Sequence, residues 1–228
     1  MSGMNPKLAV WRDRLLTIVI IWVAWALIST FVAQPFKIPS GSMENTLGVG
    51  DRIVVEKWSQ DVKRGDVVVF ADDLHWEPTH AAPTGWRKAV RDVATATHIA
   101  AEGNHLVKRV VGLPGDVVSC SEPNAKLTVN GVAVDEPYLQ AGLDGCAPSP
   151  GQASKWSITV PAGHIWVMGD HRDDSADSRS HDDGTGRLGS VPLSAVTGRA
   201  IAVVWPLNRL AGGHGDADAF AKVPAPKK

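Results

Sequence analysis

The sequence predicts a mainly β domain carried behind one N-terminal transmembrane helix, and three observations lead there. Residues 15–33 read LLTIVIIWVAWALISTFVA, nineteen positions without a charge. Everything after Gln34 is a series of short apolar runs punctuated by Gly, Pro, Asn and Asp, the pattern of strands joined by turns. The composition is that of a folded chain: 44% hydrophobic and 21% charged over 228 residues, which excludes wholesale disorder. A net charge of −1 lacks the basic excess of a nucleic-acid protein, so no nucleic-acid partner is expected.

The anchor comes first. As a helix, residues 15–33 would span ~28 Å, close to the ~30 Å hydrocarbon core of a bilayer. A helix buried in a soluble core would normally carry a polar stripe, and only Thr17, Ser29 and Thr30 are polar here. A cleaved secretory signal has a shorter apolar run and small residues before the cut, whereas Phe31-Val32-Ala33 places a bulky ring there. The expectation is an uncleaved anchor over 15–34. Lys7, Arg12 and Arg14 against Asp13 give residues 1–14 a positive excess, which puts them in the cytoplasm and the long C-terminal part outside. No second run of spanning length follows, so one pass is expected.

The strands follow in order. Residues 52–56 (RIVVE) and 66–70 (DVVVF) look like paired strands joined through Lys63-Arg64-Gly65. Residues 106–111 form another, closed by Leu113-Pro114-Gly115-Asp116. Residues 127–129 and 132–134 flank Asn130-Gly131, the strongest hairpin signal in the chain. Residues 158–160 and 164–168 flank Pro161-Ala162-Gly163, and 200–205 end the series before Pro206. Residues 86–101 break the alternation. Trp86, Val90, Val93 and Ala94 fall at helical spacing with Arg87, Lys88 and Arg91 between them, as in a surface helix packed on the sheet or one lying on anionic lipid. Residues 211–228, rich in Gly, Ala, Asp, Pro and Lys, read as a flexible tail.

Three stretches carry chemistry. Ile38-Pro39-Ser40-Gly41-Ser42-Met43 sets two serines around a glycine; alone it is an ordinary turn, and it is not the G-x-S-x-G elbow. In 106–111, alternation puts Lys108 on one face with Leu106 and Val110. Such a lysine either extends its ammonium to water or is desolvated, which lowers its pKa. Residues 169–179 (GDHRDDSADSR) are dense in Asp, Arg and Ser, as in a tightly hydrogen-bonded loop. The spacing lacks the EF-hand glycine and terminal Glu, and His171 and His181 serve either as metal ligands with these carboxylates or as simple hydrogen-bond partners.

Together IPSGSM, KRVVGLPGD and GDHRDDSADSR, in this order behind an N-terminal anchor, closely resemble the motifs of bacterial type I signal peptidases (leader peptidases, the Ser-Lys dyad serine peptidases of family S26). The resemblance covers roughly residues 36–205. It implies a signal-peptidase-type β fold: an extracytoplasmic catalytic domain over 35–210 with an inserted β subdomain at about 112–160, held at the plasma membrane. By match to the motifs, Ser42 is the nucleophile and Lys108 the general base, a variant of the triad logic. The Ser42 N–H and the Ser40 hydroxyl form the oxyanion hole, Ser175 orients the lysine, and Asp177 with Arg179 is a supporting ion pair. Ile38, Pro39, Leu106 and Val107 are expected to line shallow pockets for small side chains, since such enzymes cut after Ala-x-Ala.

The implied activity is removal of signal peptides from exported preproteins, with membrane lipid and the export translocon as further partners and no metal or organic cofactor. Two departures stand out. Met43-Glu44-Asn45-Thr46-Leu47 replaces Met-x-Pro-Thr-Leu, which is expected to loosen the loop, and His171 and Asp174 stand where Asn is common. The rivals are a self-cleaving repressor of the SOS type, which would need a helix-turn-helix in place of the anchor, and an anchored non-catalytic β adaptor. With the domain outside the cytoplasm, Cys120 and Cys146 form either one disulfide or two separate buried thiols.

Overall fold

The computed structural model describes residues 6–58, 61–77, 85, 86, 88, 104–148, 155–212 and 215–226. Helix α1 (Pro6–Phe31) opens on a proline, whose fixed φ suits a first helical turn. Within it Val10–Phe31 is long and apolar enough to cross a membrane, by length and composition. Its apolar side chains face outward, with Ile18, Ile20 and Ile21 all more than half exposed. Ser29 satisfies its hydroxyl inside the helix by donating to the Trp25 carbonyl at 2.7 Å. The helix differs from the expected 15–34. It takes in Arg12, Asp13 and Arg14, and it yields Ala33 and Gln34 to strand β1 (Ala33–Lys37), where they pair with Glu56 and Val55 of β2 (Arg52–Glu56).

The main sheet adds β3 (Val67–Ala71), β4 (His105–Gly112), β9 (His164–Met168), β10 (Val191–Pro192), β11 (Val196–Trp205) and β12 (Ala211–Gly212). Its order is β1-β2-β11-β3-β4-β9-β10, with β12 paired to β11. The expected β2–β3 pairing is thus corrected. The long β11 lies between them, matching Val203 to Ile53 on one side and Arg199 to Val68 on the other. Gly198 makes that approach feasible, because a Cβ there would run into the Glu56 backbone.

A second sheet, ordered β7-β6-β5-β8, consists of β5 (Val117–Cys120), β6 (Thr128–Val129), β7 (Val132–Ala133) and β8 (Trp156–Thr159). Asn130 and Gly131 turn the β6–β7 hairpin with φ of 53° and 80°, the positive pair that a type I′ turn requires. Pro161-Ala162-Gly163 joins strands of different sheets, so β8 and β9 are successive but not paired.

The two sheets meet over one apolar cluster, in which Val111, Trp166 and Met168 of the main sheet pack with Val118, Val129 and Ile158 of the second and with Leu127 just before β6. Phe220 and Val223 complete this cluster, which corrects the expectation of a flexible tail over 211–228. The polar composition of the tail hides these two anchors. The Arg64 guanidinium also donates to the Val223 and Pro224 carbonyls, and the Asp216 N–H to the Gly65 carbonyl. A disulfide joins Cys120 at the end of β5 to Cys146, with Cα atoms 5.7 Å apart. The helical pattern over 86–101 lies outside the described residues except for Trp86 and Lys88.

Candidate active site

The turn that carries the two serines leaves β1 and is held at both ends. The Ile38 N–H donates to the Asp51 carbonyl and the Gly50 N–H returns to that of Ile38, both at 2.9 Å. Met43 and Leu47 are buried in the cluster of Ile53, Val55 and Val107, so the chain between them is pinned by its apolar anchors. Ser42, immediately before Met43, stays half-buried. The proline missing from this turn has a physical reason. Asn45 has φ 84°, which a proline ring cannot adopt. Its side-chain amide donates to the Tyr138 and Leu139 carbonyls at 2.8 and 3.1 Å. The expected loosening is corrected: Asn45 ties the turn to the chain beyond the second sheet's hairpin.

Strand β4 brings in the lysine. It is paired with β3 on one side and β9 on the other, and Lys108 stands opposite Val68. Lys108 is 2% exposed, and its Nζ lies 2.5 Å from Ser42 Oγ. Burial pulls the lysine's pKa below its ordinary value. The carboxylates of Asp177 and Glu77 oppose that shift, and Arg179 adds to it.

The acidic, arginine-rich loop after β9 packs against the same turn. Gly169 faces the Ser42 carbonyl and the Ser175 hydroxyl so closely that an added Cβ would fall 2.5 Å from the Ser42 oxygen. The His171 N–H donates to that same carbonyl at 3.2 Å. Asp177 caps the short helix α2 (Ser178–His181). Its carboxylate accepts from Arg179 Nε and Nη2 at 2.9 and 2.8 Å and from the Gly169 N–H at 3.0 Å. Burial pushes the Asp177 carboxyl up, but Arg179 and the backbone donors outweigh it and hold the group below the usual carboxylate range.

Two further buried pairs were not foreseen. Arg109 binds both oxygens of Asp170, at 2.8 and 2.6 Å, with Thr46 donating to the same carboxylate. Arg172 binds both oxygens of Glu136 and also the Gly169 and Gly145 carbonyls. The crowding of Asp and Arg in 169–179 signalled such pairs, but Arg109, Glu136 and Thr46 lie far away in sequence.

The structure brings Ile38, Pro39, Ser40, Ser42, Leu106, Val107 and Lys108 together around one small pocket, and adds Met43 and His105 to its lining. Ser175 is buried beside Gly169. The two histidines meet different partners. His181 stacks on Trp76 at 4.6 Å between ring centroids, and His171 contacts Gly41, Glu44 and Asp173. Among the described residues, no group of three or more His, Cys, Asp or Glu is placed to hold a metal ion.

The chain is a serine endopeptidase. It belongs to the signal peptidase family, peptidase S26, whose model matches residues 11–205. It is 39% identical over 219 residues to signal peptidase I of Mycobacterium tuberculosis (strain ATCC 25618 / H37Rv), covering 87% of this chain and 74% of that one. It is 36% identical over 237 residues to the probable signal peptidase I of Mycobacterium leprae (strain TN), covering 92% and 81%. Signal peptidase I S of Bacillus subtilis (strain 168) is 31% identical over 205 residues, covering 85% of this chain and 88% of that one.

Proposed function

We propose that this protein removes N-terminal signal peptides from exported preproteins with a Ser42–Lys108 dyad while α1 anchors it in the plasma membrane. The observation that carries the reading is the buried Lys108 amine 2.5 Å from Ser42 Oγ. A serine hydroxyl is a weak nucleophile and needs a base within hydrogen-bond reach. Only an uncharged amine accepts its proton, and burial of Lys108 favours that form.

An extended peptide lies alongside β4, a small side chain entering the pocket lined by Ile38, Pro39, Leu106 and Val107. Lys108 takes the proton as Ser42 Oγ attacks the scissile carbonyl. The Ser42 N–H and the Ser40 hydroxyl hold the oxyanion; such a donor contributes roughly 2.7–4 kcal/mol to the transition state. The Lys108 ammonium then protonates the leaving amine, and a water activated by the same lysine releases the acyl group. Ser175 orients the amine. Asp177 with Arg179 fixes the loop that backs Ser42.

In this reading residues 1–14 are cytoplasmic and the catalytic domain over 35–210 is extracytoplasmic, with the second sheet as its insert. The anchor confines the enzyme to the lipid surface and the export translocon, where signal peptides leave the bilayer, and so raises their effective concentration. The test is cleavage of a preprotein by the purified full chain in detergent, with Ser42→Ala and Lys108→Ala alongside. Each substitution is expected to abolish cleavage, and the double variant to be no worse, because the two act as a unit. Cleavage by Ser42→Ala at the parent's rate refutes the assignment.

A further inference from the structure

We infer that His171 is a positioning residue that aims the oxyanion hole, acting through the Gly41–Ser42 peptide plane; this rests on the Ser42 reading above. The carbonyl of Gly41 and the N–H of Ser42 belong to one planar trans peptide, in which the two bonds point in opposite directions. Whatever fixes the Gly41 carbonyl therefore fixes the direction in which the Ser42 N–H points.

Two donors fix it. The Glu44 N–H reaches the Gly41 oxygen at 2.8 Å from within the turn. His171 Nδ1 reaches it at 3.3 Å from the opposing loop. A carbonyl only accepts, so that bond assigns the proton to Nδ1. The His171 main chain also donates to the Ser42 carbonyl, at 3.2 Å. One residue thus grips the peptide units on both sides of the nucleophile, with Gly169 backing the second.

Carboxylates flank the ring at both nitrogens. Nδ1 lies 3.6 Å from Glu44 Oε2 and Nε2 lies 3.5 Å from Asp173 Oδ1, with the side chain 19% exposed. The ring is not the base. The hydroxyl of Ser42 is met by Lys108, whereas the imidazole addresses the backbone behind it. A donated hydrogen bond at the carbonyl end of a peptide also polarises it, which strengthens its N–H as a donor to the developing oxyanion. The gain appears as negative charge builds on the substrate oxygen, so it belongs to the transition state rather than to ground-state binding.

The experiment compares His171→Leu, which removes the donor, with His171→Asn, whose amide can still donate to the Gly41 carbonyl. Cleavage of a preprotein by the full chain gives kcat and KM, and a peptide aldehyde that forms a tetrahedral adduct with Ser42 gives a second readout. His171→Leu is expected to lower kcat by at least about tenfold, a part of the 10²–10³ seen when an oxyanion donor is lost outright. KM should stay within about twofold, because ground-state contacts are untouched. Aldehyde affinity should fall with kcat, while affinity for an uncleavable peptide of the same sequence should hold. His171→Asn should keep kcat within about threefold of the parent.

Parent-like kcat in His171→Leu overturns the inference, as does a loss confined to KM or an equal loss in His171→Asn. Thermal unfolding of each variant guards against a trivial loss; if His171→Leu unfolds early, His171→Ala takes its place with the same expectations. Ser42→Ala in the same assay separates the two claims. If it still cleaves, the underlying dyad is wrong. If it is silent while His171→Leu matches the parent, only the positioning role fails.

Discussion

Replacing Asp177 with alanine strips the carboxylate on which the loop behind Ser42 is built. Asp177 and Arg179 both have fully buried side chains, and the guanidinium gives two hydrogen bonds to the carboxylate. Removing one partner of such a pair leaves a charge without compensation and costs about 3–5 kcal/mol. For a domain of this size that lowers Tm by roughly 6–20 °C, at about 2–4 °C per kcal/mol. The Gly169 N–H also loses its acceptor, so the segment over the Ser42 carbonyl is loosened. Thermal unfolding of the full chain in detergent reads the cost, and a cycle with Arg179→Ala and the double variant isolates the pair. The double variant should be less destabilised than the two single losses added together.

The same substitution moves the pH profile. Asp177 raises the lysine's pKa and Arg179 lowers it, so removing the carboxylate lowers it and leaves the effect of Arg179 unopposed by that group. Activity of the folded fraction should therefore rise at lower pH than in the parent. A Tm loss below about 2 °C, which corresponds to under 1 kcal/mol, or a profile shifted to higher pH, refutes this account of the loop.

Gly169→Ala should lower kcat and cost roughly 1–3 kcal/mol of stability, because the added methyl overpacks against the Ser42 carbonyl; unchanged kinetics and Tm would contradict it. Lys108→Met should raise Tm at neutral pH. The folded lysine has a lowered pKa, so the unfolded chain binds the extra proton and the parent gains stability as pH rises toward the free-lysine value of about 10.4. The advantage of Lys108→Met should shrink over that range, and a constant difference would argue against a desolvated lysine. Reducing Cys120–Cys146, 26 residues apart in sequence, should cost about 3.5 kcal/mol by loop entropy, read as a lower denaturant midpoint; no change would mean the bridge constrains nothing.

Local signals were legible in the sequence and long-range ones were not. The Asn130-Gly131 hairpin follows from two residues that tolerate positive φ, and β2 and β4 follow from apolar alternation. Ser42, Lys108, Asp177 and Arg179 could be named only through three motifs taken together, since each alone reads as a turn, a surface lysine or a polar loop. Strand β1 was hidden because Ala33 closes an apolar run that suits a helix equally well, and Gln34 follows it directly. The place of β11 between β2 and β3 depends on a partner more than 130 residues away, as the pairing of Val203 with Ile53 illustrates. The partners of Asp170 and Arg172 were out of reach for the same reason. In the tail, Phe220 and Val223 are too few to register in a composition average, yet both are buried.

The dyad is tested most directly by the initial rate of preprotein cleavage against pH for the parent and Lys108→Arg. A guanidinium keeps its proton throughout the accessible range and cannot serve as the base. The parent's rate should rise with pH through a single ionisation below that of free lysine, about 10.4, and Lys108→Arg should stay at background at every pH. A Lys108→Arg variant that cleaves at a rate near the parent's, with its profile unchanged, would contradict the assignment of Lys108 as the base that activates Ser42.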